Sequence, residues 1–333
     1  MKRSPILLLA LIFVAGCVGS STVKVVANDG VVIEKFSADP SDVFDFQTTT
    51  FSLDIANTGG TTAKNVDAKL LNVEGIWRRS DTKNPIITEG TLLTGGSLTP
   101  PRIKDNLPGD SRFLSATFMA PNLREGDRQT FPLKARVTYD YKTTGSIIMK
   151  AVSYERLKVL QNRGQSVSDP LSESNSESPV KMKFSKGAVP IVVNTQELGT
   201  DKIIRRDFRF DITNIGSGFP ITNDKVGQVG GTTTGNRIIL KAPSGITLES
   251  CTGQKGGNSE TFSIDLRSDG TAPLSCTVKI DTSGTTKFNT PTDEVSLTFD
   301  FELNYKYYVE KDVSVSVQGT KTDDVTPGGV TAT

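Results

Sequence analysis

Apolar and polar residues alternate along much of this chain. In Phe51–Ile55 every second side chain is apolar, and Asn57–Gly60 follows as a turn sequence. Phe131–Tyr141 places apolar residues on one face and polar residues on the other, apart from Pro132. A period of two predicts half-buried strands, and one apolar face per strand indicates antiparallel sheets. The pattern therefore predicts an all-β fold.

The same pattern occurs a second time. Phe208–Gly216 matches Phe51–Gly59 at the first, third, fourth, fifth, seventh and ninth positions, if Phe is allowed for Leu. Further on, Ser296–Tyr307 alternates as Phe131–Tyr141 does. A duplicated set of alternating strands predicts two tandem immunoglobulin-like β-sandwich domains.

The boundaries follow from composition. Residues 161–179 are rich in Ser, Asn, Glu, Gly and Pro, which predicts an interdomain linker or a disordered loop. We expect Lys142–Gly145 to turn the chain into a closing strand over Ile147–Val152, whereas Tyr154–Leu160 fits either a strand or one or two helical turns. The predicted units are a leader over 1–16, a tether over 17–29, sandwiches over 30–160 and 180–319, the linker over 161–179, and a flexible tail over 320–333.

The leader has a basic start, an apolar stretch over Ile6–Val14 and small residues directly before Cys17. The apolar stretch has signal-peptide length and is too short to span a bilayer. This order resembles the lipobox of prokaryotic lipoproteins, which implies that Cys17 is lipidated and holds the chain at the extracellular face of the cell membrane. The alternative is a plain signal peptide with a chance cysteine. Within the tether, Ser20–Asn28 is either a spacer or, through its Val-Lys-Val-Val, an opening strand.

Charge and composition exclude several functions. The formal charge is +1, and it becomes −1 without Lys2 and Arg3, so no electrostatic argument favours a nucleic-acid partner. The chain has no histidine, which excludes the usual catalytic triads and most zinc sites. No nucleophile elbow or phosphate-binding Gly-Lys-Ser/Thr loop is present. We expect neither catalysis nor a cofactor.

Two cysteines remain if Cys17 carries lipid. Cys251 and Cys276 lie in two predicted strands, and an oxidising compartment favours a disulfide between them. The alternative is a pair of buried free thiols.

A family resemblance rests on Ile55–Leu70. Asn57 and Gly59, followed by Ala63, Asn65 and Val66, hold the places of a motif in CARDB-like modules, which are immunoglobulin-like sandwiches of archaeal and bacterial surface proteins. The resemblance implies a sandwich fold, an adhesive or structural setting at the cell surface, and a prokaryotic host that we expect to be archaeal. It carries over no catalytic residue.

Two sets of residues suggest ligand sites, and each has a simpler interpretation. Oxygen ligands for calcium are offered by two aspartates and two asparagines, Asp54, Asp211, Asn57 and Asn214. A simpler interpretation is that the aspartates point outward from their strands and the asparagines cap Asx-type turns. The tyrosines that continue the apolar faces of the two strands fit core packing better than a sugar platform; they are Tyr139, Tyr141, Tyr305 and Tyr307. Tyr308, on the opposite face, is the predicted exposed ring.

We therefore expect a lipid-anchored, non-catalytic binding or structural protein, such as an adhesin, an envelope component or an accessory subunit of a surface assembly. Its expected partners are the membrane, through Cys17, and a protein or glycan at the cell surface. Recognition would use the loops Gly75–Asp105 and Lys225–Asn236 or a sheet edge. The alternative is a lipoprotein that captures a polysaccharide or peptide for a transporter or enzyme.

Overall fold

The computed structural model describes residues 28–81, 83–86, 90–194, 203–222, 225–226, 228–229, 238–251, 254–255, 264–281 and 294–320. The leader, Cys17, the predicted tail beyond residue 320 and most of the Lys225–Asn236 loop lie outside these residues. The described residues form an all-β sandwich fold, as the alternation predicted. None of their helices is long and apolar enough to cross a membrane.

The first half of the chain contributes nine strands, a single 3-10 turn and a single α-helix to the described residues. They are β1 (Val31–Asp39), β2 (Asp42–Phe44), β3 (Thr48–Asn57), β4 (Ala63–Leu71), β5 (Arg78–Arg79), β6 (Gly90–Leu93), β7 (Ser97–Leu98), the 3-10 turn Ile103–Asp105, β8 (Ser111–Met119), β9 (Arg128–Ser153) and α1 (Tyr154–Asn162).

The second half contributes the remaining described strands. They are β10 (Leu171–Asn175), β11 (Val180–Lys186), β12 (Ile191–Val193), β13 (Ile203–Asn214), β14 (Phe219–Thr222), β15 (Lys225–Val226), β16 (Gln228–Val229), β17 (Ile238–Lys241), β18 (Ile246–Cys251), β19 (Gln254–Lys255), β20 (Ile264–Asp265), β21 (Thr271–Asp281) and β22 (Glu294–Gln318).

Two long strands form the centre of the molecule. β9 has 26 residues and β22 has 25, and they pair antiparallel over the whole length of β22. Other strands add to both sides of this pair, which we call the central ribbon, to give a sheet of eleven strands. The ribbon is built from both halves of the chain, so the two predicted sandwiches share one sheet.

Two smaller sheets complete the two lobes. Lobe 1 contains the sheet β1-β3-β8-β5, and lobe 2 contains the sheet β11-β13-β21-β18-β19. Phe131 of the ribbon packs on Trp77 in lobe 1, and Phe299 of the ribbon packs on Phe208 in lobe 2. One continuous cluster of buried apolar side chains runs through both lobes.

The two long strands exchange their ends between the lobes. The C-terminal end of β9 pairs with β10 and β12, which follow it in the second half of the chain. The C-terminal end of β22 pairs with β2 in the first half. β2 adds in parallel to the C-terminal end of β22, and β12 adds in parallel to the C-terminal end of β9. The two halves of the chain are therefore related by an approximate twofold axis through the middle of the ribbon.

The expected turn at Lys142–Gly145 is wrong, because β9 runs straight through it and through Ile147–Val152. The buried Thr143 hydroxyl lies 2.6 Å from the carbonyl of Val180 and 3.0 Å from the hydroxyl of Tyr305, which fixes the chain in the ribbon. The straight course of β9 requires glycine at position 145, because a Cβ there would clash with the Ser174 carbonyl and the Phe301 ring.

The stretch 161–179 also differs from a free linker. Tyr154–Asn162 is an α-helix, which resolves the open choice for Tyr154–Leu160, and Ser153 caps it by accepting a hydrogen bond from the Arg156 backbone. Leu171–Asn175 is strand β10, although its composition is polar. Its backbone pairs with β9, so a ladder rather than a core orders it. The domain boundaries at 160 and 180 stay a prediction.

Candidate binding surface

Four tyrosines lie at the centre of the ribbon, where the sequence placed them in the core. Tyr141 pairs with Tyr305 across the ribbon and Tyr139 pairs with Tyr307, and all four side chains are buried. Neighbouring ring centroids are 5.6 to 6.4 Å apart. Burial raises the pKa of each of these hydroxyls, because the charged phenolate loses its hydration there. They are structural groups and form no sugar platform.

Two of these hydroxyls, those of Tyr141 and Tyr307, also hold the repeated asparagine turns. The Asn57 side chain donates to the Thr61 carbonyl at 2.8 Å, and the Asn214 side chain donates to the Gly218 carbonyl at 2.8 Å. The Tyr141 hydroxyl accepts from the Thr61 backbone, as the Tyr307 hydroxyl does from the Gly218 backbone. The Asx-type turn is confirmed at Asn57, whose side-chain oxygen accepts a hydrogen bond from the Gly59 backbone at 3.1 Å. At Asn214 the side-chain oxygen accepts instead from the Tyr307 hydroxyl, so this asparagine holds its turn through Gly218 alone.

The calcium interpretation gains no support from the geometry. Asp54 and Asp211 are half-buried, and Asp211 accepts a hydrogen bond from Arg209. Among the described residues no group of three or more His, Cys, Asp or Glu side chains is placed to hold a metal ion.

Tyr308 is not the exposed ring that the sequence predicted. It is 9 % exposed, because the Arg136 guanidinium lies over its face at 4.7 Å and the Phe219 ring covers it at 5.8 Å. Phe219 is the exposed partner of the two, at 51 %. The alternation could not reveal that β14 pairs beside β22 and places Phe219 opposite Tyr308.

The predicted disulfide is confirmed. Cys251 on β18 lies opposite Cys276 on β21, and the two are bonded. The bond joins two strands of the lobe 2 sheet that are already paired, so its role is structural. Lipidation of Cys17 stays a prediction, because that residue lies outside the described part of the chain.

The predicted recognition loop Gly75–Asp105 begins in a hairpin whose described arms are residues 73–81 and 83–86. Its base is Trp77, which is fully buried and packs edge-on against Phe51 at 5.5 Å and Phe131 at 6.2 Å. The Trp77 backbone donates to Val73 and accepts from Ile86, so the hairpin closes on itself. A loop with a buried aromatic root presents its outer residues from a fixed position.

A groove lies on each side of this hairpin. The first has a volume of about 500 Å³ and opens between the two sheets of lobe 1, with Arg79 and Asp81 on one wall and Phe118 on another. The second has a volume of about 670 Å³ and is bordered by Ile76 and by the start of β9. Volumes of this size fit a small ligand or an extended segment of a partner.

An exposed aromatic turn, from Phe44 at the end of β2 to Gln47, leads into β3. Phe44 is 45 % exposed and Phe46 is 39 % exposed. The backbone of Phe46 has a φ of 61°, a left-handed conformation that is rare for a bulky residue. The Arg78 guanidinium lies 5.7 Å from the Phe46 ring centroid. Asp45, between the two rings, is buried and accepts hydrogen bonds from Thr320, which holds the turn in place.

We call the aromatic turn and the hairpin with its two grooves the lobe 1 end. Sequence reasoning identified this region as a recognition loop, because a long connection with little alternation is typical of a surface loop, but it did not predict the hairpin within it. It missed Phe44 and Phe46. Their spacing by two residues resembles a strand, and no local sequence feature indicates that Phe46 adopts a left-handed conformation.

Comparison with known proteins leaves this surface unassigned. No protein-family model matches the chain, and no curated protein sequence matches it. Among solved structures it is similar to trypsin-activated alpha-2-macroglobulin from Escherichia coli, with 10 % identity and a TM-score of 0.17 over 88 % of this chain and 18 % of that one. It therefore spans less than a fifth of the macroglobulin.

Two bacterial adhesins are similar at the same level. They are the MSCRAMM ACE of Enterococcus faecalis, with 7 % identity and a TM-score of 0.12 over 87 % of this chain and 95 % of that one, and the CupB6 tip adhesin of Pseudomonas aeruginosa, with 8 % identity and a TM-score of 0.16 over 88 % and 96 %. TM-scores this low carry no argument about function.

Proposed function

We propose that this chain is a non-catalytic binding or structural protein of the cell surface and that the lobe 1 end is its recognition surface. It acts as an adhesin, an envelope component or an accessory subunit of a surface assembly. The partner meets the aromatic turn and lies along one of the two grooves.

The observation that carries this proposal is the pair of exposed rings on a fixed turn. Phe44 and Phe46 are both partly exposed on this turn, and the Arg78 guanidinium lies near the Phe46 ring. Aromatic and arginine side chains dominate the binding energy of protein interfaces. A bulky residue in a left-handed conformation costs about 1–3 kcal/mol, and such strain is concentrated at functional sites.

The test adds purified protein to washed envelopes of the source organism and measures the sedimented fraction. We expect Phe44→Ser with Phe46→Ser to reduce binding at least about tenfold, since interface hot spots contribute about 2 kcal/mol or more. The control is Phe113→Ser, which removes a ring that is 66 % exposed on β8. Equal binding by both variants, with unchanged melting temperatures, would refute the recognition surface.

We further propose that Cys17 carries the lipid that holds the protein at the membrane. The leader pattern supports this, and two acyl chains suffice for stable anchoring where one does not. The intact mass of the membrane-bound protein should correspond to a chain that begins at a lipidated Cys17, and Cys17→Ser should be released into the medium. An unmodified Cys17 in the mature protein would contradict the anchor.

The second candidate function is capture of a soluble polysaccharide or peptide for a transporter or enzyme. The two grooves favour it, because their volumes are those of small-ligand sites. A rise in melting temperature with one oligosaccharide or peptide, abolished by a substitution in a groove such as Thr117→Trp, would support capture. No response across such a panel would leave the surface-binding proposal as the better one.

A further inference from the structure

Backbone hydrogen bonds hold both ends of the aromatic turn. The Asp45 N–H donates to the Gln318 carbonyl at the end of β22, at 2.9 Å, and the Gln47 carbonyl accepts from the Ala120 N–H at 2.8 Å. The Gln47 N–H closes the turn on the Phe44 carbonyl at 3.2 Å, and the Gln47 side chain accepts from the Phe44 N–H. The two rings therefore lie on a four-residue turn with fixed ends.

The side chain of Asp45 holds the middle of this turn. Its Oδ1 atom accepts from both the N–H and the hydroxyl of Thr320, at 3.0 and 2.6 Å. We call these two contacts the latch. Because Asp45 is only 5 % exposed, its carboxylate acts within the protein and offers little surface to a partner.

The latch lies next to the strained residue of the turn. Phe46 is the third residue of the turn, and its φ of 61° is a conformation that Gly or Asn normally supplies there. A bulky residue keeps such a conformation only where the surrounding structure holds it. Asp45 and Gln47, on either side of Phe46, make the contacts that hold it. Without the latch we expect the backbone to relax and the ring to move away from the Arg78 guanidinium.

The matched place in lobe 2 is built differently. β2 adds to β22 as β12 adds to β9, and this places Phe44 and Val192 at equivalent positions, each one residue after a buried apolar residue. Val192 packs in a small apolar cluster with Leu157 and Leu160 of α1. Phe44 is instead 45 % exposed. Lobe 2 covers this position with a helix, whereas lobe 1 presents a ring and fixes its turn with the latch.

We propose that Asp45 and Thr320 are positioning residues of the recognition surface, and that the latch holds Phe44 and Phe46 in the conformation that the partner binds. This rests on the proposed function of the lobe 1 end. The partner selects a geometry of the two rings, so a change that opens the latch weakens binding although both rings are still present. Because Thr320 follows β22, which begins in lobe 2, the recognition surface depends on the shared ribbon.

Two substitutions of Thr320 in the full chain test the latch. Thr320→Val removes the hydroxyl at similar side-chain size, and it should weaken binding to washed envelopes about fivefold. Thr320→Ser keeps the hydroxyl and should bind as the unchanged protein does. The matched control is Thr271→Val in lobe 2, because the Thr271 N–H and hydroxyl bond one carboxylate oxygen of Asp269 in the same way. Unchanged binding by Thr320→Val, or an equal loss in Thr271→Val, would overturn the proposal.

A double-mutant cycle tests whether the latch acts through the rings. Asp45→Ala alone should weaken binding about tenfold, because it removes both bonds to Thr320. In the variant that already carries Phe44→Ser and Phe46→Ser, Asp45→Ala should cause no further loss, since the latch then has no ring to position. A further loss of similar size in that variant would contradict a positioning role.

Amide exchange tests the latch without a partner. The amides at positions 45 and 47 should exchange at least about tenfold faster in Asp45→Ala than in the unchanged protein, since the turn opens more often. The Leu53 amide, in a strand that pairs on both sides, should be unaffected. Unchanged exchange at positions 45 and 47 would overturn the latch even if binding fell. Unchanged binding by Phe44→Ser with Phe46→Ser would refute the recognition surface instead, so the two proposals can fail separately.

Discussion

The two lobes use the same plan but hold their outer parts differently. Both fix an asparagine turn with a ribbon tyrosine, Tyr141 in lobe 1 and Tyr307 in lobe 2. Away from the ribbon, lobe 1 packs the hairpin around Trp77, whereas lobe 2 joins β18 and β21 by a disulfide. The duplicated contacts lie where the halves meet, and the differences lie at the far sides. The shared ribbon therefore defines the fold, and each lobe adds its own support.

The largest expected effect is in lobe 1. Trp77→Ala should lower the free energy of unfolding by about 3–5 kcal/mol, since it leaves a cavity among buried rings. Chemical denaturation followed by circular dichroism measures this loss. Trp77→Phe should cost clearly less, because the indole N–H has no hydrogen-bond partner among the described residues. Equal losses for the two variants would contradict the packing role of this side chain.

Removal of the lobe 2 disulfide comes next. Cys251→Ser with Cys276→Ser opens a loop with a sequence separation of 25. It should lower the free energy of unfolding by about 3 kcal/mol, mainly through the unfolded chain. Fluorescence of Trp77, the only tryptophan, reports lobe 1. Its unfolding midpoint should fall with the substitution, because the ribbon couples the lobes; an unchanged midpoint would mean that the lobes unfold separately.

A smaller effect separates the two equivalent tyrosines. Tyr307→Phe leaves both the Asn214 oxygen and the Gly218 N–H without a partner, whereas Tyr141→Phe affects the Thr61 N–H. We expect losses of about 2 and about 1 kcal/mol respectively in the free energy of unfolding. Thermal or chemical unfolding of the two variants measures the difference. A larger loss for Tyr141→Phe would contradict the hydrogen-bond assignment.

The smallest effect is on a charge cluster of the ribbon in lobe 1, in which Lys134 and Arg136 both bind Glu310. Burial raises the pKa of Glu310, but hydrogen bonds from Lys134 and Arg136 outweigh this, so the pKa lies below its usual value. This charge cluster therefore stabilises the protein above the usual glutamate pKa, about 4.3, and its contribution is lost as the pH falls through the lower folded-state pKa of Glu310.

Glu310→Gln should lower stability at neutral pH by under about 1 kcal/mol, since the group is partly exposed. The difference from the unchanged protein should disappear at acidic pH. Glu249→Gln, at an exposed pair with Arg205 in lobe 2, is the matched control. A difference that grows on acidification would contradict the assigned sign.

The alternation predicted the fold class, the duplication, the tyrosine core and the disulfide strands, because these depend on local pattern and burial. It did not predict the course of β9. Lys142–Gly145 has the composition of a turn, and its extended form depends on Thr143 meeting Val180 and Tyr305, which are distant in sequence. The exposed turn at Phe44 and Phe46 was missed for a related reason, since Asp45 is held by the distant Thr320.

One cross-link tests the shared ribbon most directly. In the structure Ser146 of β9 lies opposite Asp300 of β22. Ser146→Cys with Asp300→Cys should therefore form an intrachain disulfide, whereas Ser146→Cys with Asp312→Cys should not. If the chain instead turned at Lys142–Gly145, Ser146 would pair back on its own half and the first bond would be absent. That absence would contradict a sheet shared by the two lobes.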